Sequence, residues 1–159
     1  MANQLWLLRH GEAEPHDARP DDERRLTPRG EEQSRVAGAA LAALGLTFQH
    51  IYTSPKARAR DTARLAAEAL GVEPAERPAL AEGFDGAAAL ELLAGAEHQE
   101  RVLIVGHNPD FAQVVYDLTG GRVDFKKGGV AGIRLDGTRG ELIALLRPRE
   151  LERISRSGR

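Results

Sequence analysis

The chain has 159 residues, of which 42% are hydrophobic and 29% are charged, and its formal net charge is -2. This length is enough to bury a hydrophobic core, and we expect one domain over residues 1–159. The absence of cysteine excludes a disulfide framework, a thiolate zinc site and a cysteine nucleophile. With neither a bulk positive charge nor an apolar stretch of membrane-spanning length, we expect no nucleic-acid or membrane partner and a cytoplasmic location.

The first half of the chain alternates apolar runs with alanine-rich helical patterns. Residues 5–8 form a continuous apolar run, which predicts a strand covered on both faces. Residues 27–44 follow a helical pattern, with Thr27 as the N-cap and a proline at the first helical position. A second strand is predicted at 50–53, and a helix is predicted to begin at Ser54-Pro55 and end near residue 70.

The second half continues the alternation. A helix is predicted over residues 87–93, and the most strand-like run of the chain follows at 101–105. Another helix is predicted to begin at Asn108-Pro109 and to end near residue 118. Strands near 130–135 and 141–146 flank a glycine-containing turn, which predicts an antiparallel pair.

Strands that alternate with helices indicate an α/β protein. We predict a three-layer α/β/α sandwich with a mostly parallel central sheet. Residues 147–159 contain five arginines, and we interpret them as a polar, frayed C-terminal tail.

Polar segments follow three of the predicted strands, at the point where each strand ends. They are Arg9-His10-Gly11-Glu12, Ser54-Pro55-Lys56-Ala57-Arg58 and Gly106-His107-Asn108-Pro109. Because ligands of open α/β sheets lie beyond the carboxyl ends of the parallel strands, we expect these segments to converge. Two histidines and two arginines would then meet at one rim of the sheet, and this set is complementary to a phosphoryl group.

Each of these four side chains has a chemical role available to it. A neutral imidazole is a good nucleophile at phosphorus, so His10 can carry the phosphoryl group between two displacements. The guanidinium groups of Arg9 and Arg58 match phosphate oxygens in a bidentate fashion. His107, when protonated, would be a further donor to the charge of the transition state.

The same segments carry a resemblance to a known family. Leu8 to Glu12, the Ser54-Pro55-Lys56-Ala57-Arg58-Ala59 run with Thr62-Ala63, and Gly106 to Pro109 resemble, in order, three signatures of the histidine phosphatase superfamily. The segment Leu26-Thr27-Pro28-Arg29-Gly30 is similar to another recurrent segment of that family. The short length and the segment Lys126-Lys127-Gly128-Gly129-Val130-Ala131 resemble the SixA-type phosphohistidine phosphatase branch.

The resemblance implies a phosphoglycerate mutase-like fold and a phosphatase that works through a phosphohistidine intermediate. It implies that His10 is the phosphorylated nucleophile, and that Arg9, Arg58 and His107 form the phosphate pocket. The expected substrate is a phosphohistidine in a protein or a small phosphorylated metabolite. The alternatives are a phosphoglycerate mutase-like phosphotransferase and a non-catalytic phosphate-binding module.

The general acid is less clearly indicated than the nucleophile. Expulsion of an alkoxide needs a proton donor, and the segment between the second and third signatures offers Glu82 and Asp85. Glu82 is the candidate acid, and an exposed loop carboxylate is the alternative interpretation. A phosphohistidine substrate would need this acid less, because imidazole leaves phosphorus more readily than an alkoxide does.

Other polar groups of the segments have two interpretations each. Asn108 and Ser54 are expected to cap helices, and Asn108 is also a candidate substrate-binding residue. The charged stretch at residues 14–25 is either a solvated loop or one wall of the site. No HxH, HExxH or Walker-type pattern is present, so we expect neither a metal nor a cofactor.

Overall fold

A computed structural model describes residues 2–97 and 99–157. The described residues form six strands and five α-helices, with short 3-10 turns at Asp21–Glu23 and Pro78–Leu80. The elements in chain order are β1 (Asn3–Arg9), α1 (Pro28–Ala43), β2 (His50–Thr53), α2 (Ala57–Leu70), β3 (Pro74–Glu76), α3 (Gly86–Leu93), β4 (Arg101–Gly106), α4 (Asp110–Thr119), β5 (Val130–Asp136), β6 (Arg139–Leu146) and α5 (Pro148–Ser157).

The six strands form one mixed sheet in the order β3-β2-β4-β1-β5-β6. The pairs β3·β2, β2·β4 and β4·β1 are parallel, whereas β1·β5 and β5·β6 are antiparallel. The predicted sheet, mostly parallel and ending in an antiparallel pair, is therefore confirmed. The parallel strands β2, β4 and β1 are neighbours, so their carboxyl ends lie side by side.

Two layers of helix cover the sheet because successive strand side chains point to opposite faces. Leu5 and Leu7 of β1 pack, with Phe111, in the cluster that also holds residues of α3 and α4. Trp6 and Leu8 pack on the other face, in a cluster that includes residues of α1, α2 and α5. This three-layer arrangement explains why β1 and β4 are continuous apolar runs.

The predicted helices are present, and two of them begin later than expected. α2 begins at Ala57 rather than at Ser54-Pro55, because the Ser54 hydroxyl accepts a hydrogen bond from the Lys56 N–H and forms a turn before the helix. α4 begins at Asp110 rather than at Asn108-Pro109, although the Asn108 side chain still accepts from the Ala112 N–H.

The expectation of a frayed C-terminal tail is wrong for the described residues 147–157. They include α5, in which Leu151 is fully buried and Ile154 is partly buried against the α1 side of the core. The apolar residues are three apart and thus share one helix face. Glu150 also accepts hydrogen bonds from the backbone and the side chain of Arg147, which stabilises the first turn. No helix in the described residues is both long and apolar enough to cross a membrane.

Candidate active site

The ends of β1, β2 and β4 bring the three polar segments together. The His10 N–H donates to the Gly106 carbonyl at 3.0 Å, and the Ser54 N–H donates to the Val105 carbonyl at 3.0 Å. These bonds extend the parallel ladders by one residue beyond the strands. As a result, the ring centroids of His10 and His107 are 5.3 Å apart, as the convergence of the strand ends requires.

The His10 ring is held in one tautomer by its own chain. Its Nδ1 lies 2.7 Å from the carbonyl oxygen of Gly11, which can only accept, so Nδ1 carries the proton. His10 is buried, with 6% of the residue exposed. Burial, together with the nearby His107 and Arg58, lowers the pKa of His10 from 6.5 to about 3. The ring is therefore neutral at physiological pH, with an unprotonated Nε2.

The His107 ring is also buried and neutral. Its Nε2 lies 2.8 Å from the Ser54 hydroxyl, so Ser54 contacts the second histidine as well as shaping the turn before α2. Burial, followed by the charges of Arg58 and Lys56, lowers the pKa of His107 to about 3. The sequence suggests a protonated His107 as a donor, but in the free protein the His107 ring is neutral.

Two arginines flank the histidine pair. Arg9 Nη1 donates to the Phe125 carbonyl at 2.7 Å, and Arg58 Nη1 donates to the Asp21 carbonyl at 2.7 Å. Burial lowers the pKa of Arg9 from its ordinary value, and the charge of Asp124 opposes this shift.

Three buried nitrogen atoms of this group have no hydrogen-bond partner among the described residues. They are Arg9 Nε, Arg58 Nε and His107 Nδ1. Buried polar atoms are seldom left unsatisfied, and those in native structures call for an explanation such as an absent ion. An oxyanion can accept from Arg9 Nε and Arg58 Nε, and from His107 Nδ1 in the tautomer whose Nε2 accepts from the Ser54 hydroxyl.

A close approach of two glycines positions the turn after His10. The Gly11 N–H donates to the Thr62 hydroxyl at 3.1 Å, which ties the turn to α2. A Cβ placed on Gly30 would lie 1.9 Å from the Glu12 carbonyl oxygen, and one on Gly11 would lie 2.5 Å from the Gly30 oxygen. The first turn of α1 can therefore pack on this loop only with glycine at both positions, which explains the glycine that ends the Thr-Pro-Arg-Gly segment.

Asp21 and Lys56 also belong to the site, although no sequence pattern singles out either of them. The Asp21 carboxylate lies 3.0 Å from Lys56 Nζ and 3.3 Å from Arg58 Nη2. The hydrogen bond from Lys56, aided by the charge of Arg58, holds the pKa of Asp21 well below its ordinary value. The sequence allows residues 14–25 to be either a solvated loop or one wall of the site, and at Asp21 this stretch forms a wall of the site. No local pattern could have predicted these contacts, because Asp21 is far from Lys56 and Arg58 in the chain.

The remaining candidates lie at the edge of the group or have a structural role. Glu82 is 81% exposed and lies 3.2 Å from Lys56 Nζ. Asp85 accepts from the Ala88 N–H and is the N-cap of α3. Asn108 uses its side-chain oxygen on the Ala112 N–H. Among residues 2–97 and 99–157, no group of three or more His, Cys, Asp or Glu side chains is placed to hold a metal ion.

Comparison with known proteins extends the resemblance seen in the sequence. The family model of the histidine phosphatase superfamily (branch 1) matches residues 5–88. An uncharacterized protein of Picosynechococcus sp. is 36% identical over 148 residues, which cover 86% of this chain and 87% of that protein. The 2,3-bisphosphoglycerate-dependent phosphoglycerate mutase of Parvibaculum lavamentivorans is 41% identical over 88 residues, but the match spans only 42% of its length.

A solved structure shares nearly the whole architecture. The protein histidine phosphatase SixA, complexed with tungstate, superposes with a TM-score of 0.85 at 26% identity, covering 93% of this chain and 99% of that one. The family model covers the first two of the three strand-end segments, and the third, Gly106 to Pro109, lies beyond the matched range. The chain therefore belongs to the histidine phosphatase superfamily, in its SixA-type branch, and its reaction class is that of a phosphatase.

Proposed function

We propose that the chain is a metal-independent phosphatase that forms a phosphohistidine intermediate at His10. The observation that carries the proposal is the pairing of an unprotonated Nε2 on His10 with three unsatisfied nitrogen atoms on Arg9, Arg58 and His107. A nucleophile and an oxyanion site are thus adjacent, which is the minimum equipment for phosphoryl transfer.

The reaction proceeds in two displacements. In the first, the lone pair of His10 Nε2 forms a bond to phosphorus while the bond from phosphorus to the leaving group breaks. The Nδ1 proton, held on the Gly11 carbonyl, keeps the ring in the attacking orientation. In the second, water attacks phosphorus and releases a proton to solvent, the electron pair of the P–Nε2 bond returns to Nε2, and inorganic phosphate leaves. Arg9 and Arg58 stabilise the charge on the phosphoryl oxygens in both steps.

We propose phosphohistidine in a protein as the preferred substrate. Asp21 is ionised and paired, and so cannot donate a proton to an alkoxide leaving group. Glu82 stays the candidate acid, but it is an exposed side chain engaged by Lys56. An imidazole leaving group makes the smallest demand on such an acid. The likeness to a protein histidine phosphatase supports the same substrate class.

The proposed chemistry is tested by hydrolysis of p-nitrophenyl phosphate in the presence of a chelator. We expect activity in chelator, and we expect His10→Ala to lower kcat by about a thousandfold or more, because the nucleophile is removed. His16→Ala changes an exposed histidine outside the site and is the matched control. Loss of wild-type activity in chelator would contradict the metal-independent mechanism, and full activity of His10→Ala would contradict the nucleophile.

The substrate is tested separately, by comparing phosphohistidine and phosphoserine peptides of otherwise identical sequence. We expect a higher kcat/KM for phosphohistidine. We also expect Glu82→Gln to lower kcat/KM more for phosphoserine, because an alkoxide leaving group needs a proton donor more than an imidazole does. A higher kcat/KM for phosphoserine would contradict the proposed substrate.

A further inference from the structure

A strongly basic cleft adjoins the phosphate pocket at Arg9. The cavity has a volume of about 630 Å³, and its lining includes six cationic and two carboxylate side chains, a net charge of +4 in a chain whose total is -2. We call it the basic cleft and define it by its cations, which are Arg9, Arg29, Lys126, Lys127, Arg147 and Arg149. Charge concentrated in a concave site of this kind attracts anionic groups.

One wall of the basic cleft is fixed to the catalytic strand. The Gly128 N–H lies 3.1 Å from the Arg9 carbonyl and 3.0 Å from the His10 carbonyl, and the Arg9 N–H donates to Gly129. The Phe125 carbonyl also accepts a hydrogen bond from Arg9 Nη1. Lys126 and Lys127 therefore project from a segment held against the residues that form the pocket.

A second wall is formed at the beginning of α5. Arg147 makes two hydrogen bonds to the Glu150 carboxylate, at 2.9 and 3.0 Å, which hold its guanidinium in place. Arg149 is also close to Glu150, at 3.5 Å, but one carboxylate serves both cations. This wall exists only because residues 148–157 form a packed helix.

The charge of the basic cleft is only partly neutralised by the protein. Lys126 pairs with Asp124 at 2.7 Å, and Arg29 lies 3.7 Å from Glu12. Lys127 forms no ion pair with any described residue. On the β2 side of the pocket the charges balance, since the three carboxylates around Lys56, those of Asp21, Asp22 and Glu82, are matched by Lys56, Arg24 and Arg58. The approach to His10 is thus basic on the β5 side and close to neutral on the β2 side.

We infer that the basic cleft binds acidic side chains that flank the phosphorylated residue of a protein substrate, an inference that rests on the proposed phosphatase function. A cavity of this volume is far larger than one phosphoryl group and accommodates several side chains. Because Arg9 lines both the cleft and the pocket, a chain seated in the cleft places its phosphorylated residue at His10. The β2 side, where the charges balance, offers no comparable attraction to an acidic chain.

The inference is tested by the binding of two fluorescent peptides that carry a stable phosphohistidine analogue, phosphoryltriazolylalanine. One peptide has aspartate and glutamate on both sides of the analogue, and the other has asparagine and glutamine. We expect the acidic peptide to bind about tenfold more tightly at low ionic strength, and we expect this preference to shrink as salt is added. Fluorescence anisotropy measures both dissociation constants without any turnover.

The decisive variant is Lys127→Glu/Arg149→Glu, which reverses two exposed charges of the basic cleft. Its preference for the acidic peptide should fall to about one. Arg134→Glu/Arg139→Glu makes the same change in net charge on exposed residues of β5 and β6 outside the basic cleft, and it should keep the wild-type preference.

Equal binding of the two peptides by the wild type, or an undiminished preference in Lys127→Glu/Arg149→Glu, would overturn the inference. A preference for the acidic peptide in a protein that shows no His10-dependent hydrolysis would instead retain the basic cleft and reject the phosphatase mechanism. The two failures are therefore distinguishable.

Discussion

The two sides of the pocket are held in place by different forces. His10 and His107 are buried at the ends of β1 and β4, and backbone hydrogen bonds of the sheet set their positions. Asp21, on the opposite side, lies in a short 3-10 turn, and its side chain is 48% exposed. Its carboxylate is held by ion pairs with Lys56 and Arg58.

This difference shows which parts of the site tolerate change. Groups fixed by a sheet ladder lose their position only when packing is disturbed, and salt barely affects them. A group fixed by partly exposed ion pairs contributes little to stability and is screened by salt. We call the side of the pocket that holds His10 and His107 the floor. The stability of the floor should respond to changes in side-chain volume and protonation, whereas the Asp21 side should respond to changes in charge and ionic strength.

The largest expected effect is on catalysis, at the residue that joins the two sides. Arg58→Gln removes a cation from the phosphate pocket, and we expect kcat/KM for p-nitrophenyl phosphate to fall by about a hundredfold to a thousandfold. Arg60→Gln is the control, because Arg60 lies two positions further along α2 and is exposed, and it should have no such effect. A fall of less than about threefold in Arg58→Gln would remove Arg58 from the mechanism.

Packing at the floor is tested by Gly30→Ala. The added Cβ would meet the Glu12 carbonyl oxygen at 1.9 Å, so α1 or the loop after His10 must move. We expect a loss of about 3 kcal/mol in the free energy of unfolding, measured by urea denaturation. Gly95→Ala is the control, because a Cβ there has nothing within 4 Å. Similar losses in both variants would show that the contact is easily relieved.

Protonation of the floor should appear as pH-dependent stability. The pKa of each buried histidine falls from 6.5 to about 3 on folding, so below pH 6.5 the unfolded chain binds protons that the native state does not. The free energy of unfolding therefore keeps the full contribution of the neutral, buried rings above pH 6.5 and loses it progressively as the pH falls toward about 3. At pH 5 we expect a loss of about 2 kcal/mol for each histidine.

The measurement compares the free energy of unfolding at about pH 7 and about pH 5 in wild type, His107→Gln and His16→Gln. The difference between the two pH values should shrink by about 2 kcal/mol in His107→Gln and stay unchanged in His16→Gln. An identical difference in all three proteins would mean that His107 does not titrate in this way.

The smallest effect is expected on the Asp21 side. Asp21→Asn removes the charge that faces Lys56 and Arg58, and we expect a loss of about 0.5–1 kcal/mol in the free energy of unfolding. The loss should disappear in about 0.5 M NaCl, because the ion pairs are partly exposed. Asp22→Asn, which changes a more exposed carboxylate beside Lys56, should lose less. A loss that persists in salt would indicate a packing role for Asp21.

The sequence by itself determined the sandwich and the convergence of the polar segments. Alternating apolar runs and helical patterns are local properties, and parallel strands necessarily share the edge at which they end. Arg9, His10, Arg58 and His107 could therefore be placed together without coordinates. Their roles in the reaction stay predictions.

Only the tertiary structure decided how that group is surrounded. The contact of Asp21 with Arg58, the bond of Ser54 to His107 and the packing of α5 on α1 join distant parts of the chain. The path of a loop and the docking of an amphipathic end depend on the surface presented by the rest of the fold, and a local pattern does not encode that surface. For this reason a tail that reads as polar became the helix that forms one wall of the basic cleft.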